Sequence, residues 1–127
     1  MHALIIEDEP ITAMLIEDEL RALGYASVDF AVTEAEAVAA ARRRRPDLVT
    51  ADVRLPEGCG IAAVETICDG QRIPVVFITG NATEVRTRLR AAVIVSKPFG
   101  AHHICEAIWA ATGAAATTRH AARPRLA

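Results

Sequence analysis

The sequence contains no apolar run longer than a handful of residues. A helix needs roughly 20 consecutive apolar residues to cross a bilayer, so neither a membrane span nor a membrane partner is expected. A secretory leader pattern is also missing. Glu7, Asp8 and Glu9 follow the first six residues, where a basic start and a long apolar stretch would be needed. The expected location is cytoplasmic. Cysteine is scarce and unpaired in pattern: Cys59, Cys68 and Cys105 are odd in number and form no CxxC spacing. That excludes a disulfide framework and favours reduced, mostly buried thiols. His2, His102, His103 and His120 make no ligand spacing with the cysteines or acids. An excess of positive charge is absent as well. The net charge of −2 gives no general attraction to nucleic acid, and none is expected as a partner. The local exception is Arg42 to Arg45.

What remains is a chain of 127 residues, over half of them apolar and a quarter charged, enough for one globular domain. The domain is expected to span residues 1–112, and a frayed, flexible tail is expected over 113–127, where no apolar period continues. Ala3 to Ile6 is a short apolar strand that empties into acids. Pro10 suits a first helical turn. Ile11, Met14, Leu15, Leu20 and Leu23 then recur at helical spacing, and Gly24 stops the helix. Val28 to Val32 reads as a second strand. Thr33 with Glu36 is a capping box opening an Ala-rich helix. That helix ends in the arginine run, read first as a solvated helix C-terminus and second as a nucleic-acid or partner patch. Leu48 to Asp52 is a third strand, followed by a breaker-rich loop and a helix over Ile61 to Cys68. Val75 to Ile78, a short helix over Thr83 to Leu89, Val93 to Val95 and a helix over Ala101 to Ala111 complete the pattern. Trp109 reads as a packing residue of that last helix.

Strand and helix alternate five times. Apolar strands alternating with helices imply an α/β domain, a doubly wound parallel sheet covered on both faces. Such sheets place their site beyond the carboxyl ends of the strands. The residues at those ends are Glu7 and Asp8, Asp52, Thr79 and Lys97. Two carboxylates about 4 Å apart repel by about 4 kcal/mol at an effective dielectric near 20. Three such groups call for a counter-charge, and an all-oxygen set favours Mg²⁺. Lys97 supplies a second positive group. A carboxylate so placed can attack phosphorus, with metal and lysine offsetting the accumulating charge. Asp52 is the central candidate for an aspartyl-phosphate, and Thr79 could hydrogen-bond a phosphoryl oxygen.

The strand running into Glu7-Asp8-Glu9, the stretch DVRLPEGCG (52–60), Ile78-Thr79-Gly80, and Ser96-Lys97-Pro98-Phe99 together resemble the bacterial response-regulator receiver domain. Pro56 lies four residues after Asp52 and Gly60 eight after, as in that family. The resemblance covers residues 2 to about 111 of the sequence. It implies a flavodoxin-like, five-stranded sheet in the order 2-1-3-4-5. It also implies that Asp52 accepts a phosphoryl group from a histidine kinase or a histidine phosphotransfer protein. Glu7, Asp8, Asp52 and the main-chain carbonyl of Arg54 would hold Mg²⁺. Thr79 would be the switch hydroxyl, Lys97 the phosphate partner, and the Lys97–Pro98 bond cis. PVVFITGN (74–81) further resembles the Pro-Phe-x-Phe-Ala-Thr-Gly-Tyr motif of an alphaproteobacterial single-domain subfamily tied to general stress signalling. Pro74, Phe77, Thr79 and Gly80 match it; Val75, Ile78 and Asn81 do not.

Two departures stand out. The family's switch aromatic, three residues before the lysine, is Ile94 here. The segment from Thr79 to Lys97 is short for the family, so a short or irregular fourth helix is expected. The leading expectation is a single-domain response regulator, a signalling phosphoacceptor and not an enzyme, acting through an unknown downstream protein or as a phosphate relay. A phosphorylation-independent binding module on the same fold is the alternative. A haloacid-dehalogenase-type phosphatase is disfavoured, because the second acid it needs two residues after the nucleophile is Arg54. A DNA-binding reading rests on the arginine run alone and predicts steep salt dependence.

Overall fold

The computed structural model describes residues 1–116. Five strands and five helices alternate: β1 (His2–Ile6), α1 (Pro10–Ala22), β2 (Ser27–Ala31), α2 (Glu34–Arg43), β3 (Leu48–Ala51), α3 (Gly60–Ile67), β4 (Val75–Thr79), α4 (Ala82–Arg88), β5 (Val93–Ser96) and α5 (Ala101–Ala116). The strands form one sheet in the order β2-β1-β3-β4-β5, and every pairing is parallel. This is the doubly wound, flavodoxin-like architecture expected, with a short α4.

The period-two alternation of strand side chains splits the core into two layers. Leu4 and Ile6 of β1 join Val49 of β3 and Phe77 of β4 on one face, where α2 and α3 cover them with Ala37, Ala40, Ile61 and Val64. Ala3 and Ile5 join Val76 and Ile78 on the other, under Ile16 and Leu20 of α1 and Ile104 and Ile108 of α5. Burial on both faces explains why β1 from Ala3 onward is wholly apolar and β3 is apolar but for Thr50. Full burial of one such aliphatic side chain stabilises by about 1.5–3 kcal/mol.

Local chemistry sets the helix ends. Gly24 adopts φ 101°. Its N–H bonds the Arg21 carbonyl (3.1 Å) while the Tyr25 N–H reaches back to Leu20 (3.0 Å). That pair of bonds is a Schellman stop, which glycine accommodates without Cβ strain. Thr33 caps α2: its hydroxyl accepts from the Glu36 N–H at 3.1 Å. The Glu36 carboxylate answers on the Val32 N–H at 2.9 Å, one residue before the reciprocal partner of a standard capping box.

Several expectations are corrected. On α1 the buried face is Thr12, Ala13, Ile16 and Leu20, whereas Ile11, Met14 and Leu15 are 70%, 60% and 52% exposed. The helix is apolar on two sides, and Ala13, Ile16 and Leu20 are the side that joins the core. α5 runs past Ala111 and through Gly113 to Ala116. The alanine run is a strong helix former, and a Cβ added at Gly113 would make ordinary contact with the Trp109 ring at 3.5 Å. The rest of the expected tail lies outside the described residues. The three thiols are free and half-buried rather than buried. The arginine run does end α2, with Arg42 and Arg43 in its last turn, but Arg45 is tied down. Its guanidinium donates to Gln71 Oε1 (3.0 Å) and to the Arg72 carbonyl (2.9 Å).

Candidate functional site

Parallel strands all end on one edge, so each acid or base placed just after a strand arrives at the same place. Glu7 and Asp8 follow β1, Asp52 follows β3, Thr79 ends β4 and Lys97 follows β5. Lys97 is the one lysine in a sequence that has thirteen arginines. Its Nζ donates to Asp52 Oδ2 at 2.8 Å and to Glu7 Oε1 at 3.0 Å, joining residues 45 and 90 positions apart. The second Asp52 oxygen, Oδ1, accepts from the Val53 N–H at 2.7 Å. The second Glu7 oxygen accepts from the Glu9 N–H at 3.2 Å. Both carboxylates are therefore held by directed bonds.

Burial makes this cluster electrostatically tense. Glu7 and Asp52 are only 2% and 8% exposed. Burial pushes the Glu7 carboxyl above its ordinary value, and the neighbouring Asp52 charge adds to this, although the Lys97 hydrogen bond and charge pull the other way. Burial also opposes the charge of Lys97. Its hydrogen bonds to Asp52 and Glu7, and their negative charges, outweigh that and hold it above the usual lysine range. One ammonium thus serves two buried acids. Asp8, exposed, completes a set with Glu7 and Asp52 in which one carboxylate oxygen from each lies within 4.8 Å of the others. A hard divalent cation suits three such oxygens.

Thr79 is fully buried at the rim. Its hydroxyl accepts from the Asn81 N–H at 3.0 Å, and its carbonyl accepts from the Lys97 N–H at 3.0 Å. The Lys97–Pro98 bond is cis. Arg54 stands at the mouth of the β3–α3 loop, bridged antiparallel to Cys59. The loop needs two glycines. A Cβ at Gly60 would fall 1.7 Å from the Asp52 carbonyl oxygen, and Gly58 has φ +90°. Ile94 is half-buried and packs on the α2–α3 side of the sheet. His102 and His103 are exposed, as expected, with rings 3.9 Å apart.

Two residues escaped sequence reading. His2 is 3% exposed, with its ring nitrogens 2.8 Å from Ser27 Oγ and 3.1 Å from Asp29 Oδ2, on the edge of the sheet opposite the acids. Glu34 begins α2 and accepts from the Cys59 N–H at 3.0 Å. Its partner is a backbone group 25 residues away, which leaves no short-range pattern to find.

Comparison with known proteins gives the family of the chain. The family model for the response regulator receiver domain matches residues 3–109. PhyR, the phyllosphere-induced regulator of Methylorubrum extorquens, is 39% identical over 100 residues, covering 76% of this chain and 38% of PhyR. The chain therefore spans well under half of that relative. The receiver domain of PhyR from Erythrobacter litoralis is 36% identical with a TM-score of 0.81, covering 88% of this chain and 89% of that one. The receiver domain of a Pseudomonas aeruginosa sensor histidine kinase, solved with a magnesium ion in its active-site cleft, is 30% identical with a TM-score of 0.73, over 88% of this chain and 97% of its own. The site edge, the strand order and these relatives together place the chain in the response regulator receiver domain family of two-component signalling, close to the PhyR-type receivers.

Proposed function

We propose that this domain is a phosphorylation switch in which Asp52 accepts a phosphoryl group from a histidine kinase or a histidine phosphotransfer protein. The observation that carries the reading is Lys97 Nζ bridging Asp52 and Glu7 beside Asp8. An Asp52 oxygen forms the bond to phosphorus as the P–N bond of the donor histidine breaks, and the imidazole leaves with the electron pair. The Val53 N–H and Lys97 hold the Asp52 carboxylate in place for that attack. Lys97 neutralises negative charge gathering on the transferring oxygens, and Thr79 donates its hydroxyl hydrogen to one of them. A Mg²⁺ ion held by Glu7, Asp8, Asp52 and the Arg54 carbonyl would supply the remaining positive charge.

We place the donor against the outward face of α1, where Ile11, Met14 and Leu15 are exposed just after the acids. Exposed apolar groups beside a reactive cleft fit a helical partner. Phosphorylation then redistributes two packings of the loops after β4 and β5, read by a downstream protein or passed on as a relay. Among the described residues no helix is long and apolar enough to cross a membrane, which supports action in the cytoplasm. The test is transfer from a phosphorylated histidine phosphotransfer protein to the wild type and to Asp52→Asn. Label on the wild type alone is expected; label on both moves the acceptor elsewhere.

A further inference from the structure

The loop that follows Asp52 is anchored to a helix that carries none of the site's acids. Two bonds do this. The Glu34 carboxylate accepts from the Cys59 N–H at 3.0 Å, and the Glu34 N–H donates to the Glu57 carbonyl at 3.0 Å. The second bond satisfies one of the orphan donors at the start of α2. The first satisfies a donor at the start of α3, because Cys59 is the N-cap of that helix and offers no side-chain cap of its own. Gly58 lies against the same side chain: a Cβ there would meet the Glu34 Cβ at 2.3 Å and its Oε1 at 2.6 Å. The Glu34 side chain therefore occupies the space that any larger residue at position 58 would need.

The grip reaches Asp52 in short steps. Cys59 is bridged to Arg54 across the neck of the loop. The next residue, Gly60, donates its N–H to the Val53 carbonyl at 2.8 Å and packs directly under the Asp52 carbonyl. Pulling on Cys59 thus moves Arg54, Val53 and the floor of Asp52 together. Leu55 and Cys59 also pack against the core on the α2–α3 side, while Glu34 supplies the loop's hydrogen-bonded anchor to α2.

We infer that Glu34 is a positioning residue for the phosphoacceptor site: by holding the Cys59 N–H it sets the Arg54 carbonyl and hence the affinity of the site for Mg²⁺. This rests on the phosphoacceptor reading above. Removal of Glu34 leaves Glu7, Asp8, Asp52 and Lys97 in place, so the effect is one of geometry and not of the site's own charges.

The experiment measures Mg²⁺ binding by calorimetry, and exchange of the Cys59 amide by NMR, in wild type, Glu34→Ala, Glu34→Gln and Gly58→Ala. Glu34→Gln keeps the accepting oxygen. In Glu34→Ala, Mg²⁺ binding is expected to weaken about threefold to tenfold, less than for groups bonded straight to a ligand, and the Cys59 amide to exchange faster. Glu34→Gln restores both. Gly58→Ala, which pushes the loop off an intact Glu34, repeats the loss. Glu34→Ala with a faster Cys59 amide but wild-type Mg²⁺ affinity would overturn the inference, as would an unchanged Cys59 amide. Wild type that takes up no Mg²⁺ would overturn the phosphoacceptor reading instead, and the inference with it.

Discussion

Replacing Lys97 by methionine tests the electrostatic heart of the site, because the stem is kept and only the charge is lost. The ammonium sits 2.8 Å from Asp52 Oδ2 and 3.0 Å from Glu7 Oε1, on a side chain 24% exposed. Without it, carboxylate oxygens within 4.8 Å face one another unshielded. At that separation and an effective dielectric near 20 each pair repels by about 3 kcal/mol. Glu7 relieves part of this by taking a proton, since burial already raises its affinity for one. A loss of about 2–3 kcal/mol is expected from urea unfolding in the presence of chelator. Mg²⁺ reverses the sign of the comparison. The ammonium and a divalent cation compete for the same oxygens, and their repulsion at about 5 Å is roughly 1.5 kcal/mol even at the dielectric of water. Lys97→Met should therefore bind Mg²⁺ about tenfold tighter than wild type by calorimetry, and saturating Mg²⁺ should close most of the stability gap. A variant as stable as wild type in chelator, or one that binds Mg²⁺ no more tightly, would refute the shared-carboxylate geometry.

Gly60→Ala drives a methyl group into the Asp52 carbonyl, 1.7 Å away before relaxation. It should cost about 3 kcal/mol in urea unfolding, and a loss below half of that would show that the loop yields freely. On α1, Ile16→Ala should cost about 2–4 kcal/mol while Leu15→Ala stays within about 0.5 kcal/mol, because Ile16 is 1% exposed and Leu15 52%; equal losses would mean the helix is rotated. Burial pushes the Cys68 thiol above its usual value, outweighing its bond to the Ile73 carbonyl and the nearby Arg45 charge. Its folded thiol should therefore alkylate at pH 7.5 more slowly than the same thiol in urea, and equal rates followed by mass would contradict this burial.

Where the sequence was readable, it was because one physical rule dominated. Strands buried on both faces leave largely apolar runs, and apart from Thr50 inside β3 the polar groups of β1, β3 and β4 gather at the strand ends. Glu7, Asp8, Asp52, Thr79 and Lys97 thus stood out as strand-end groups before their meeting could be measured. The strand order was a different matter. Nothing local specifies 2-1-3-4-5, and it came with the resemblance. The phase of α1 was misread because two apolar stripes share the helix, and the stripe of larger residues faces outward. The last helix was expected to end at Ala111 because no apolar period continues beyond it, although alanine needs none to stay helical. Glu34 was invisible for a further reason. Its carboxylate bonds a main-chain N–H, and such a partner leaves no trace in residue type.

The central claim is that Asp52 takes a phosphoryl group with the help of the acids and Lys97 around it. Intact mass after incubation with Mg²⁺ and acetyl phosphate tests it most directly, on wild type and Asp52→Asn with and without chelator. The account predicts the mass of one added phosphoryl group on the wild type, absent in Asp52→Asn and abolished by chelator. An unchanged wild-type mass, or an equal gain in Asp52→Asn, would contradict it and leave a receiver fold that binds its partners without phosphorylation of this aspartate.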